Sequence, residues 1–170
     1  MPFYFEKLSH HYFESYNYGA EGWGTAHMYF LLQEYSRFSD INLQRGIAVY
    51  SLINDHIYRN VGNMYTISSN SYDFPIFRIT DSGNLSAPFK FYQRKDYYYK
   101  VRIYNLFIKA SPFLRWFFWY IYRVKLIPES EAVTVTAKLI IKSKKLYDKI
   151  FNGDFFVVIW PRNDIPESSR

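Results

Sequence analysis

The chain contains no cysteine, which excludes disulfides, thiolate metal sites, iron–sulfur clusters and a cysteine nucleophile, and leaves the redox compartment open. Histidine is scarce too. His10, His11, His27 and His56 form no His-Glu-x-x-His run and have no carboxylate at metal-ligand spacing, so no metal site is expected. Long apolar runs are missing: the longest uncharged aromatic stretch, Trp116 to Tyr122, is seven residues between Arg115 and Arg123, too short to cross a bilayer. The opening residues Met1-Pro2-Phe3-Tyr4-Phe5-Glu6-Lys7 put no basic region ahead of an apolar one, so no secretory signal is expected there. No Walker Gly-Lys-Ser/Thr occurs, and Gly19-Ala20-Glu21-Gly22-Trp23-Gly24 is spaced G-x-x-G-x-G, which does not fit a dinucleotide site. No cofactor is called for, and no internal repeat is visible.

What is present is ring and charge. Of 170 residues, 49% are apolar, 22% aromatic and 21% charged, the balance of one soluble globular core and not of a disordered chain. The net charge of +6 is concentrated. Lys90, Arg94, Lys95, Lys100, Arg102, Lys109, Arg115, Arg123 and Lys125 face only Asp96 across that segment, leaving the remainder slightly acidic. Attraction to an anionic surface therefore belongs to 90–125 and not to the whole chain. No RRM, OB or helix-turn-helix pattern accompanies it, so nucleic acid is not an expected partner.

Hydrophobic periodicity predicts an order of elements. Residues 3–13 carry Phe5, Leu8, Tyr12 and Phe13 at helical spacing, and Glu14 to Gly19 reads as a short strand. Thr25 is the expected N-cap of a helix over 25–38, striped by Met28, Tyr29, Leu32, Tyr35 and Phe38. Gly46 to Ile53 is almost continuously apolar, as a parallel strand covered on both faces would be. A helix is expected over 129–151, closed by Asn152-Gly153, and then a strand over 155–160, stopped by Pro161. Between them, 61–128 reads as an insertion with a hairpin around Asp81-Ser82-Gly83-Asn84 and an aromatic helix at about 97–124. The alternation is that of an α/β domain with a parallel sheet, whose site lies beyond the strands' C-terminal ends. The loops expected there are 19–24, 54–60 and 161–164.

Asn17-Tyr18-Gly19-Ala20-Glu21-Gly22-Trp23-Gly24-Thr25, followed by Leu52-Ile53-Asn54-Asp55, resembles the second and third conserved blocks of the SGNH (GDSL-type) esterases and acyl hydrolases. Leu52 stands where the third block has glycine. The resemblance implies a three-layer, flavodoxin-like parallel sheet and acyl-ester hydrolysis. It also implies that Gly22 and Asn54 are oxyanion donors, Gly19 being the second choice for Gly22, with Gly19, Asp55 and Arg59 supporting the loops. The chemistry is intelligible in itself. Charge develops on a carbonyl oxygen in acyl transfer, and fixed neutral donors stabilise it most in the transition state.

The family's Gly-Asp-Ser and Asp-x-x-His blocks, bearing nucleophile and base, are not among these residues. The expectation is therefore one partial SGNH-type domain lacking its first strand and C-terminal helix and loop, from a truncated or split reading frame and inactive by itself. The strands ending at Gly19 and Ile53 then either keep open inner edges or close up and pair. The implied ligand is an acyl-ester small molecule or an acylated glycan. A second function class remains: a non-catalytic binding or membrane-surface module using 90–125, where Phe107 to Tyr122 has the make-up of an interfacial helix.

Overall fold

The computed structural model describes residues 6–10, 14–20, 22–34, 38, 41, 46–62, 74–90, 93, 106, 111–113 and 127–160. It is a mixed α/β arrangement. In chain order the elements are α1 (Thr25–Gln33), β1 (Ile47–Leu52), α2 (Asn54–Asn60), β2 (Pro75–Ile76), β3 (Phe89–Lys90), α3 (Glu129–Ile150) and β4 (Asp154–Ile159). β1 and β4 pair in parallel, Ile47 opposite Asp154 through Leu52 opposite Ile159. The two apolar runs are thus neighbours joined by a crossover, as their composition predicts.

Strand alternation gives this small sheet two unlike faces. Ala48, Tyr50, Leu52 and Phe155 turn inward, and Ala48 and Phe155 pack on a core formed by Leu32, Phe38, Tyr147 and Phe151. On the other face Val49 is 63% and Phe156 53% exposed. The expectation of cover on both faces is corrected here: among the described residues, helices cover one. A second core joins α1, α2, α3 and the hairpin through Ala26, Val61, Ile76, Phe77, Val135 and Leu139. The hairpin lies where the sequence puts it, with Ile79 bridged to Leu85 around the turn and β2 antiparallel to β3. Arg78 ties it to the first turn of α3, donating from Nε and Nη2 to the two Glu131 carboxylate oxygens at 2.8 and 3.3 Å.

Several expectations are corrected. Residues 14–20 are neither helix nor strand, and among the described residues no strand pairs with the edge of β1 opposite β4, so the two predicted strands have not closed up. The expected loop 54–60 is helix α2. Gly24, not Thr25, caps α1, which stops at Gln33 and not at 38. Of the helix at 3–13, Glu6 to Leu8 are helical as expected, and the rest lies largely outside the described residues. So do the loop 161–164 and nearly all of the aromatic helix at 97–124.

One side chain holds three helices together. Asn60, 1% exposed, accepts from the Ala26 N–H at 3.1 Å and donates through Nδ2 to Thr136 Oγ1 at 2.8 Å. The Thr136 hydroxyl in turn donates to the Ala132 carbonyl at 2.8 Å. Ala26 N–H is one of the orphan donors of α1's first turn, which a glycine N-cap has no side chain to satisfy. Asn60→Ala leaves it buried and unpaired, so a loss of about 2–4 kcal/mol is expected, lowering the melting temperature by roughly 5–10 °C. Gly153→Ala should do at least as much, because a Cβ there would overlap the Gly46 backbone where β1 and β4 begin to pair. Thermal unfolding followed by circular dichroism checks both; an Asn60→Ala shift under about 2 °C would show that the junction contributes little.

Candidate functional site

The C-terminal end of β1 leads through Ile53 directly into α2, and the 22–24 turn lies against that helix. Gly22 adopts φ +79°, a left-handed conformation that favours glycine. Gly24 lies against the next element: a Cβ on it would stand 3.7 Å from His56 Cα and 3.7 Å from His56 Cδ2. Arg59 fastens the two segments by donating from Nη1 to the Trp23 carbonyl at 3.1 Å. Its contact with Asp55, 3.7 Å between Nη2 and Oδ2 with the carboxylate half-exposed, is a weak surface pair. Asp55 therefore supports the turn only through Arg59.

The structure distinguishes the two glycines that the sequence offers as oxyanion donors. Gly19 N–H is already spent on Asn17 Oδ1 at 3.0 Å. Gly22 N–H donates to none of the described residues, and neither does the carboxamide of Asn54, which begins α2. No contact joins Gly22 to Asn54; the segments bearing them meet through Gly24, His56, Trp23 and Arg59.

Three members of the cluster have roles here that sequence reasoning did not assign to them. Tyr50, inward-facing on β1, has its hydroxyl 2.9 Å from Thr25 Oγ1 and 2.8 Å from His56 Nδ1, and its ring stacks on the His56 ring. Thr25 is completely buried. His27 accepts at Nδ1 from the Gly24 N–H at 3.3 Å while His27 N–H donates to the Gly24 carbonyl at 3.0 Å, a reciprocal cap of α1. Its ring lies between Trp23, stacked, and Phe74, edge-on. The spacing of His27 three residues after a helix-starting glycine is a capping-box spacing and was the available signal. For Tyr50 only its place in the strand register marks it.

Burial, assisted by the Arg59 guanidinium, pushes the His56 imidazole down to about 4 and lowers His27 as well. Burial pushes the Tyr50 phenol up to about 12. All three are neutral near pH 7. For metal binding the His27 geometry is unfavourable: a metal on Nε2 needs the lone pair there, and therefore a proton on Nδ1, where the Gly24 N–H already points.

The sign of the pH effect follows. The unfolded histidines bind protons near 6.5 while the folded His56 resists until about 4, so stability is full above 6.5 and falls as pH drops through that window. After allowance for solvent at this partly buried ring, about 1 kcal/mol should be lost between pH 7.5 and pH 5. Urea unfolding at the two pH values checks it, with His56→Gln reducing the difference; a chain equally stable at both would contradict the assignment.

Compared with protein-family models, curated proteins and solved structures, the chain matches none.

Proposed function

We propose that this chain carries the oxyanion-binding part of an SGNH-type acyl hydrolase, as one partial domain of the flavodoxin-like class with 61–128 inserted in it. Gly22 N–H and the Asn54 carboxamide are its donors to the acyl oxygen. The observation that carries the reading is a pair of amide donors, uncommitted among the described residues, on two segments fastened together at the C-terminal end of a parallel strand. The left-handed Gly22 opens the backbone to close approach, and Asn54 donates without bringing a charge. The commitment of Gly19 N–H to Asn17 favours Gly22 for the role. Arg59, bonded to Trp23, keeps the turn against α2.

An acyl carbonyl held by these donors becomes anionic on attack, and each donor strengthens as it does so. In a complete site, loss of one donor lowers the rate about 10²–10³-fold. The 170 residues contain neither Gly-Asp-Ser nor Asp-x-x-His, so the chain supplies binding and not attack. The acyl-ester small molecule or acylated glycan remains the ligand class on this reading. The membrane-surface alternative rests on the basic aromatic segment 90–125, and no helix among the described residues is long and apolar enough to cross a membrane.

Acetate, the product anion of the simplest acyl ester, is the probe. Titrated into the ¹⁵N-labelled chain, it should shift the Gly22 amide and the Asn54 side-chain amide together and saturably, with methylammonium doing nothing. Asn54→Ala should weaken the binding about tenfold. The chain should not hydrolyse a short aryl ester above the buffer rate. Absence of shifts at both amides, or turnover abolished by Asn54→Ala, would overturn the reading in its binding or its inactive half respectively.

A further inference from the structure

The hydroxyl chain Thr25–Tyr50–His56 has only one arrangement that uses every hydrogen. Thr25 is completely buried, and among the described residues its hydroxyl has the Tyr50 oxygen as its one partner, at 2.9 Å. If Tyr50 donated to Thr25, the threonine hydrogen would be buried with no acceptor among the described residues, an unfavourable arrangement. Thr25 therefore donates to Tyr50. The tyrosine hydrogen is then directed at His56 Nδ1, 2.8 Å away, which must accept it. A neutral imidazole accepting at Nδ1 carries its proton on Nε2. His27 reaches the same state independently, since the Gly24 N–H can only donate to its Nδ1.

We infer that His56 is held as a fixed Nε2–H donor at the glycine turn and supplies a further hydrogen bond to a bound carboxylate or acyl oxygen, acting as a donor and not as a base. The inference rests on the acyl-oxygen reading above and adds a residue to it. Cδ2, the ring carbon bonded to Nε2, is the side-chain atom that faces Gly24, so the Nε2 edge borders the turn that carries Gly22. Among the described residues nothing accepts from Nε2. The groups around the ring are Arg59 and Asp55 on its own helix, His27 on α1 and Tyr50 on β1. Only Asp55 favours a second proton, and Asp55 lies beside Arg59. A neutral donor suits an oxygen that gains charge during reaction: it stabilises the anion without a prior ion pair to break.

The test is imidazole ¹⁵N spectroscopy of the full chain, read before and during acetate titration. Expected in the wild type are an unprotonated Nδ1 and a protonated Nε2 in both His27 and His56 at pH 8, the His56 state persisting to pH 5.5, and a saturable acetate shift at His56 Nε2–H. Tyr50→Phe should release the Nδ1–H tautomer of His56 and weaken acetate binding about tenfold. His56→Gln, which keeps a donor and cannot titrate, should bind within about threefold of wild type, whereas His56→Ala should lose about tenfold. An Nδ1-protonated His56 in the wild type, or a His56 signal indifferent to acetate while Gly22 and Asn54 respond, would overturn this inference and leave the proposed function standing. A response at His56 with none at Gly22 and Asn54 would do the reverse to the function and support His56 as a separate anion donor.

Discussion

The arrangement depends on Asn60. A buried carboxamide can donate and accept at once, and here it does both between helices distant in sequence: it caps an N–H of α1, sits at the last turn of α2 and binds Thr136 in the middle of α3. Apolar contact between Ala26, Val135 and Leu139 supplies attraction but no register. The amide hydrogen bonds supply register, since an unpaired partner at this depth is unfavourable by more than any one contact gains. With the start of α1 so located, the glycine turn ahead of it has little choice but to lie on α2, where Arg59 donates to the Trp23 carbonyl.

The electrostatics of the cluster follow from the same enclosure. Arg59 is the cation that most affects the two histidines, and both resist protonation through burial first and its charge second. Its hydrogen bond goes to a backbone carbonyl and its weak ion pair to Asp55, so it acts as a fastener with a residual positive field. Tyr50 completes the inner wall. Its high-lying ionisation keeps it a hydroxyl at every ordinary pH, which is what a relay between Thr25 and His56 requires.

Much of the scaffold was legible because its signals are physical constraints on long segments. The apolar runs read at 46–53 and 155–160 pair as strands Ile47–Leu52 and Asp154–Ile159, and the turn residues 81–84 lie in a hairpin. The misreadings are local. Glu14 to Gly19 has the rings and alternation of a strand, but strand propensity expresses packing against a neighbour, and among the described residues none flanks that side of β1. Asn54-Asp55 resembles a turn, yet Asp55 in a first turn and Arg59 in a last turn are the charges a helix favours. The helix α1 ends at Gln33, and Phe38, expected on its stripe, packs edge-on against Phe151, a tertiary contact that periodicity cannot report. In the site, the glycine turn and Asn54 were visible as motifs. Tyr50 was not, and Thr25 reads only as a cap, because their pairing arises from two elements crossing at one point.

The chemistry of the cluster also bears on what it can hold. Around the turn stand amide and imidazole hydrogens, with one guanidinium already engaged by a backbone carbonyl. A phosphate dianion would call for more fixed positive charge, and a cation would find donors where it needs acceptors. A carbonyl that gains negative charge only as it reacts makes the smaller demand: neutral donors bind it weakly at first and strongly at the barrier. On the proposed reading, the lowered basicity of His56 belongs to the same logic. A protonated imidazole at this position would bind carboxylate tightly before and after reaction, holding product where a neutral donor releases it.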